Sequence, residues 1–206
     1  MLSEKQLNIF EIFITNIYKK YTYKEIKGIN SSNNFVQLSI KKFKEENLID
    51  EEVIGTSKLY FLNLKNPVVY LYIDLVINSK SSKDVLYSID ILKKEIEKFT
   101  LFYSLVIFGS YVKNQNKKNS DLDIAIFINN NRLIQKIKVA INLANNKSLL
   151  TLDIHIFTKK DFLKLLKADY SNLAKEIVYN NRPIHNSVIF YKILERGVNN
   201  GFKIIS

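Results

Sequence analysis

The chain of 206 residues contains no cysteine. Disulfides and thiolate metal sites are therefore excluded, and a reducing cytoplasm is the expected compartment. Long apolar runs are also missing. The longest, Pro67 to Ile77, is too short to cross a bilayer and is interrupted by Asp74. No targeting segment is visible, because the N-terminus is amphipathic and carries Glu4 and Glu11. Neither an internal repeat nor a low-complexity tract is present. These absences lead to the expectation of a soluble cytoplasmic protein with no membrane partner.

Hydrophobic residues make up 47% of the chain, enough to fill one or two cores. The formal charge of +11 favours polyanionic partners such as nucleic acid or nucleotide phosphates. Its distribution is uneven. Residues 1–65 hold 10 lysines against 8 acids, whereas residues 66–206 hold 21 basic residues against 12 acidic ones. The surplus thus lies mostly outside the segment whose pattern suggests DNA binding.

That segment is 1–65. Leu7, Phe10, Ile14 and Ile17 recur at helical spacing over about 3–20, with Ser3 as N-cap. Thr22 can cap a short helix over 23–28, and Ser31 or Ser32 a third running to about Asn47. The third helix buries Val36, Ile40 and Phe43 and turns Asn34, Gln37, Lys41 and Lys44 the other way. "EEVIGTSKLYFL" then reads as a hairpin around Gly55-Thr56-Ser57. Three helices and a hairpin is the order of a winged helix-turn-helix. Asn34 and Gln37 would read base edges of double-stranded DNA, with Lys41, Lys44 and the hairpin's Lys58 on phosphates. The same face can equally be a solvated one, or dock a protein or a second copy in a homodimer.

Asn66-Pro67 marks a boundary, and residues 66–100 read as a helical connector with helices over 68–78 and 84–98. From 101 to 206 the periodicity changes. Strand-like runs at 101–108, 121–128 and 151–157 alternate with a helix over 132–146, which predicts a mixed α+β/α/β layer. Thr158 and Asp161 form a capping signature for a helix over 159–168. Two further helices, 171–180 and 187–196, are expected on either side of "NNRPIHN", the second ended by Gly197.

The stretch "FGSYVKNQNKKNSDLDIAIF", 108–127, carries the chemistry. Leu122, Ile124 and Ile126 face one side of a strand, so Asp121 and Asp123 project together from the other. Like charges this close repel and raise each other's pKa unless a cation lies between them. Magnesium suits the position, since it takes oxygen ligands from one or two carboxylates and completes its shell with water and phosphate. Gly109 allows a tight turn after an apolar strand, and Ser110 opens a short helical segment whose N–H groups would seat a phosphate. Asp153 shares one strand face with Thr151 and His155. If its strand neighbours the other, Asp153 completes a three-carboxylate cluster, as a metal ligand or as the base for an attacking hydroxyl.

Gly109-Ser110, ten residues, Asp121-x-Asp123 and a later strand with Asp153 resemble the nucleotidyltransferase superfamily of DNA polymerase β. The likeness is closer to the minimal nucleotidyltransferases, which include antitoxin partners of HEPN-domain toxins, and it covers roughly residues 105–157. The resemblance implies a small mixed sheet with flanking and C-terminal helices. It also implies that Gly109 and Ser110 hold the β/γ-phosphates of an NTP, most often ATP, and that Asp121, Asp123 and Asp153 coordinate two Mg2+ ions. The reaction implied is transfer of a nucleoside monophosphate to an acceptor hydroxyl, which in the antitoxin branch is a toxin tyrosine receiving AMP. Lys113 stands where a basic residue is common and would contact phosphate. Asn114 stands where many relatives have glycine, and asparagine tolerates left-handed backbone.

Each residue also has a plainer explanation. Asp121 and Asp123 can lie on a solvated strand edge, Asp153 on an amphipathic surface, and Ser110 can merely cap a helix. His155 can relay a proton or sit inert on its strand, His185 can cap or pack, and Lys117-Lys118 can steer NTP or form a solvated turn. Three functions follow: a magnesium-dependent nucleotidyltransferase acting on a protein tyrosine, a DNA-binding regulator whose nucleotidyltransferase domain only binds nucleotide or partner, and an enzyme modifying a small molecule or an RNA 3′ end.

Overall fold

The computed structural model describes residues 1–28, 32–113 and 120–203. The chain divides into two compact units, Met1–Val76 and Ile77–Ile204. Among the described residues, no helix is long and apolar enough to cross a membrane.

The first unit runs α1 (Glu4–Thr15), β1 (Tyr21–Thr22), α2 (Tyr23–Lys27), α3 (Asn33–Glu45), β2 (Ile49–Ile54) and β3 (Ser57–Leu62). Ser3 and Gln6 form a capping box on α1, and Thr22 and Glu25 form one on α2. Helix α1 stops at Thr15, earlier than its apolar spacing predicts. Asn16 leaves the helix in an extended conformation, and its side chain accepts from the Tyr18 N–H instead. The hairpin turns at Gly55, whose φ of 60° lies in the left-handed region. Strand β1, absent from the sequence expectation, adds to β3 and gives the antiparallel order β1-β3-β2. Phe10 holds the core together. Its ring packs edge-on to Phe43 at 5.4 Å and against Tyr72 at 5.8 Å.

Helix α4 (Pro67–Lys80) crosses the division between the units. The second unit continues with α5 (Lys83–Glu97), β4 (Tyr103–Phe108), β5 (Leu122–Ile128), α6 (Ile134–Asn145), β6 (Leu152–Thr158), α7 (Lys159–Leu166), α8 (Leu173–Tyr179), β7 (Asn181–His185) and α9 (Ser187–Asn199). The sheet order is β6-β5-β4-β7, parallel between β5 and β6 and antiparallel elsewhere. Val85, Ile89, Leu92 and Ile96 of α5 are all buried, as their spacing predicts. Buried Glu95 bridges Lys98 and Lys147 and so ties α5 to the end of α6. On one sheet face Phe127 meets Phe157, Phe162 and Phe190, so α7 and α9 cover that half of it.

Two expectations are corrected here. "NNRPIHN", expected only to separate two helices, contains an edge strand. Pro183 is tolerated because an edge strand need not donate on its outer side. Gly197 does not end the last helix, which continues to Asn199. A Cβ at 197 would lie 2.9 Å from Leu166 Cδ1, so this glycine permits close helix packing instead.

Candidate active site

Three strand ends build the site. Strand β4 ends at Phe108, and Gly109 turns the chain at φ 70° into a single 3-10 turn, Gly109–Tyr111. The helical segment expected to start at Ser110 is thus only this turn among the described residues. Its closure is visible in the Lys113 N–H, which donates to the Gly109 carbonyl at 3.3 Å. Asn114 and Lys117-Lys118 lie outside the described residues.

Only Ile107 to Tyr103 of β4 ladder with β5, Ile107 opposite Ile124, so Gly109 lies beside the start of β5 where Asp123 projects. The approach is close. A methyl group on Gly109 would overlap the Asp123 carboxylate oxygen and lie 2.9 Å from its Cγ. The Ser110 N–H donates to that same carboxylate. The amide expected to face phosphate therefore holds Asp123 in this state.

The parallel register of β5 and β6 pairs Asp123 directly with Asp153. Paired residues on neighbouring strands project from the same face, with their backbones roughly 5 Å apart. Asp121 lies just ahead of β5 and is exposed, Asp123 is half-buried, and the Asp153 side chain is 55% exposed. Burial pushes the Asp123 carboxyl above its ordinary range, and the charges of Asp153, Asp121 and Glu176 push the same way, against the Ser110 hydrogen bond. Three other carboxylates thus act on the charge of Asp123. Among the described residues, no three acidic or histidine side chains close into a metal cluster as they stand. The donor set still fits a hard cation that keeps much of its water, because magnesium commonly takes one or two carboxylates.

His155 shares this face. Its Nε2 lies 3.7 Å from Asp153 Oδ1, an ion pair only when the imidazole is protonated, and its ring packs 5.9 Å from Phe108. His185 is elsewhere, packed against Tyr103 at 4.8 Å and bonded to Asn186. Sequence reasoning missed three residues around the turn. Tyr111 donates to the Ser120 carbonyl at 3.2 Å; burial raises its pKa, as do Asp121, Asp84 and Asp123. Glu176 of α8 pairs with Lys113 at 3.2 Å, and Arg182 of β7 donates to the Val112 carbonyl at 3.5 Å. No local pattern marks the last two. They reach the turn only because β7 adds beside β4.

In the first unit Asn34, Gln37, Lys41, Lys44 and Lys58 are all exposed. Two clefts share Tyr23, Gln37 and Tyr60; Lys41 and Lys44 line one, Lys24 and Lys58 the other. Glu51 accepts from both Lys44 at 2.9 Å and Lys58 at 3.3 Å, and Lys41 lies 3.8 Å from Glu45. Lys41, Lys44 and Lys58 are thus paired with acids of their own unit.

A strand, a Gly-Ser turn and neighbouring strands bearing in-register carboxylates thus meet at one place in the sheet. Residues 90–188 match the family described as polymerase beta, nucleotidyltransferase. Residues 90–188 thus form a nucleotidyltransferase domain of the polymerase β-like kind. No curated protein matches the chain significantly.

Proposed function

We propose that the protein transfers a nucleoside monophosphate, AMP from ATP in its most specific form, to an acceptor hydroxyl with the help of magnesium. The acceptor is a tyrosine of a HEPN-type toxin, in keeping with the antitoxin branch that the motif resembles. The observation that carries this reading is the register setting Asp123 beside Asp153, next to the Gly109 turn. Gly109, Ser110 and Lys113 hold the β- and γ-phosphates. Asp121, Asp123 and Asp153 would hold two Mg2+ ions, whose charge would offset that of the phosphate oxygens. The acceptor oxygen attacks the α-phosphorus, the bond to the bridging oxygen breaks, and pyrophosphate leaves. Asp153, the more exposed of the strand pair, takes the acceptor's proton.

The test is incubation of the full chain with α-labelled ATP, magnesium and a cell lysate, followed by the co-encoded toxin if one exists. Label should appear on a protein and vanish in Asp121→Asn and Asp123→Asn. Label surviving in both variants contradicts the site. Label on RNA 3′ ends or a small molecule assigns a different acceptor.

The first unit is proposed to be a winged helix-turn-helix, supported by the succession of α1, α2, α3 and the β2–β3 hairpin. A DNA-binding role is the second reading, favoured by the four lysines along its two clefts. Gel shifts on the gene's own promoter should then weaken in Lys41→Ala and Lys44→Ala. No shift at low salt leaves the unit as a surface for a protein or a second copy.

A further inference from the structure

Glu176 stands apart from the strand carboxylates, on α8, yet it reaches the phosphate turn. Its carboxylate accepts from Lys113 Nζ at 3.2 Å, with the two side chains 41% and 38% exposed. Its charge is also felt at Asp123. Arg182, the neighbour of Ile107 across the β4–β7 ladder, holds the Val112 carbonyl of the same turn. The segment from α8 to β7 therefore clasps the turn through two contacts, one to backbone and one to the lysine.

We propose that Glu176 is a positioning residue that withholds Lys113 from nucleotide in the free protein and yields it to the incoming triphosphate, thereby setting NTP affinity. The proposal rests on the assignment of Gly109, Ser110 and Lys113 as the phosphate seat. Water screens an exposed pair of this kind, so it is weak and exchangeable. A triphosphate carries several negative charges against the single one on Glu176, and exchange runs toward nucleotide. Removing the Glu176 charge has two effects of the same sign: Lys113 is released, and one source of repulsion on a polyanion disappears. The opposing loss is small, because a lysine acts as a flexible point charge and depends little on a fixed geometry.

The experiment is calorimetric titration of MgATP, with GTP, CTP and UTP in parallel, into the full chain and its Glu176→Gln, Lys113→Ala and doubly substituted forms. Glu176→Gln should bind nucleotide about two- to fivefold tighter, the range of an exposed pair, while Glu176→Asp stays near wild type. In the Lys113→Ala background the gain should fall by more than half. Weaker or unchanged binding by Glu176→Gln overturns the proposal, as does a gain that persists undiminished without Lys113. A lowered melting temperature with weaker binding would assign Glu176 a purely structural role. A wild-type protein that binds none of the four nucleotides overturns the phosphate seat itself, whereas wild-type binding that ignores Glu176 overturns only this inference.

Discussion

Replacing Gly109 with alanine tests the site through its tightest point. The backbone there has φ 70°, which costs an L-residue about 1–2 kcal/mol. Alanine returns about 0.4–1 kcal/mol by restricting the unfolded chain, so strain alone leaves a net loss of order 1 kcal/mol. The new methyl also overlaps the Asp123 carboxylate and lies 2.9 Å from its Cγ, where ordinary contact begins near 3.4 Å. The carboxylate must retreat by on the order of 1 Å, and a displacement of that size costs roughly a hundredfold in rate. Catalysis should therefore suffer far more than folding. The assays are pyrophosphate release with labelled transfer for activity, and thermal melting for stability. A drop of about 10²-fold in rate with a melting shift of only a few degrees is expected. An alanine variant with near wild-type transfer would refute the reasoning, since it would mean that Asp123 need not sit against the turn.

The other expectations concern charge and capping. Asp123→Asn should abolish transfer yet raise the melting temperature at pH 7. A carboxyl whose folded pKa is raised costs stability at pH values above it, and the amide removes that cost. His185 is pushed down to about 4 by burial and then by the Lys93 charge, against the pull of Glu97. The unfolded chain takes up a proton that the folded protein refuses, so stability is full above about 6.5 and falls as pH drops toward 4. Melting curves between pH 7 and 4.5 should show that slope, flattened in His185→Gln. Thr22→Ala removes both the acceptor for the Glu25 N–H and the hydroxyl bond to Glu25, costing about 0.5–2 kcal/mol in denaturant titrations. Glu25, held down to about 2 by the Thr22 N–H and then by Lys19 and the Thr22 hydroxyl, should titrate higher in that variant, because the hydroxyl contact is lost.

Local signals carried most of the secondary structure. The α5 stripe, the Thr22 cap and the strand-like run in "DLDIAIFI" each depend on neighbours within a few residues, and each element appears in the structure. The pairing of Asp123 with Asp153 was legible only as a condition, because strand adjacency is decided by long-range packing. What escaped the sequence was likewise non-local. "NNRPIHN" has turn composition and becomes a strand because β4 offers an unpaired edge. Gly197 has the chemistry of a helix stop, but packing against Leu166 keeps the helix going. Glu176 and Arg182 reach the turn from about 65 residues downstream, with no spacing rule to announce them.

The most direct measurement is a crystal structure of the full chain with Mg2+ and a non-hydrolysable ATP analogue. Metal density should appear at Asp123 and Asp153, with the β- and γ-phosphates at Gly109 and Ser110. Nucleotide bound elsewhere, or Asp153 turned away from metal held by other residues, would contradict it.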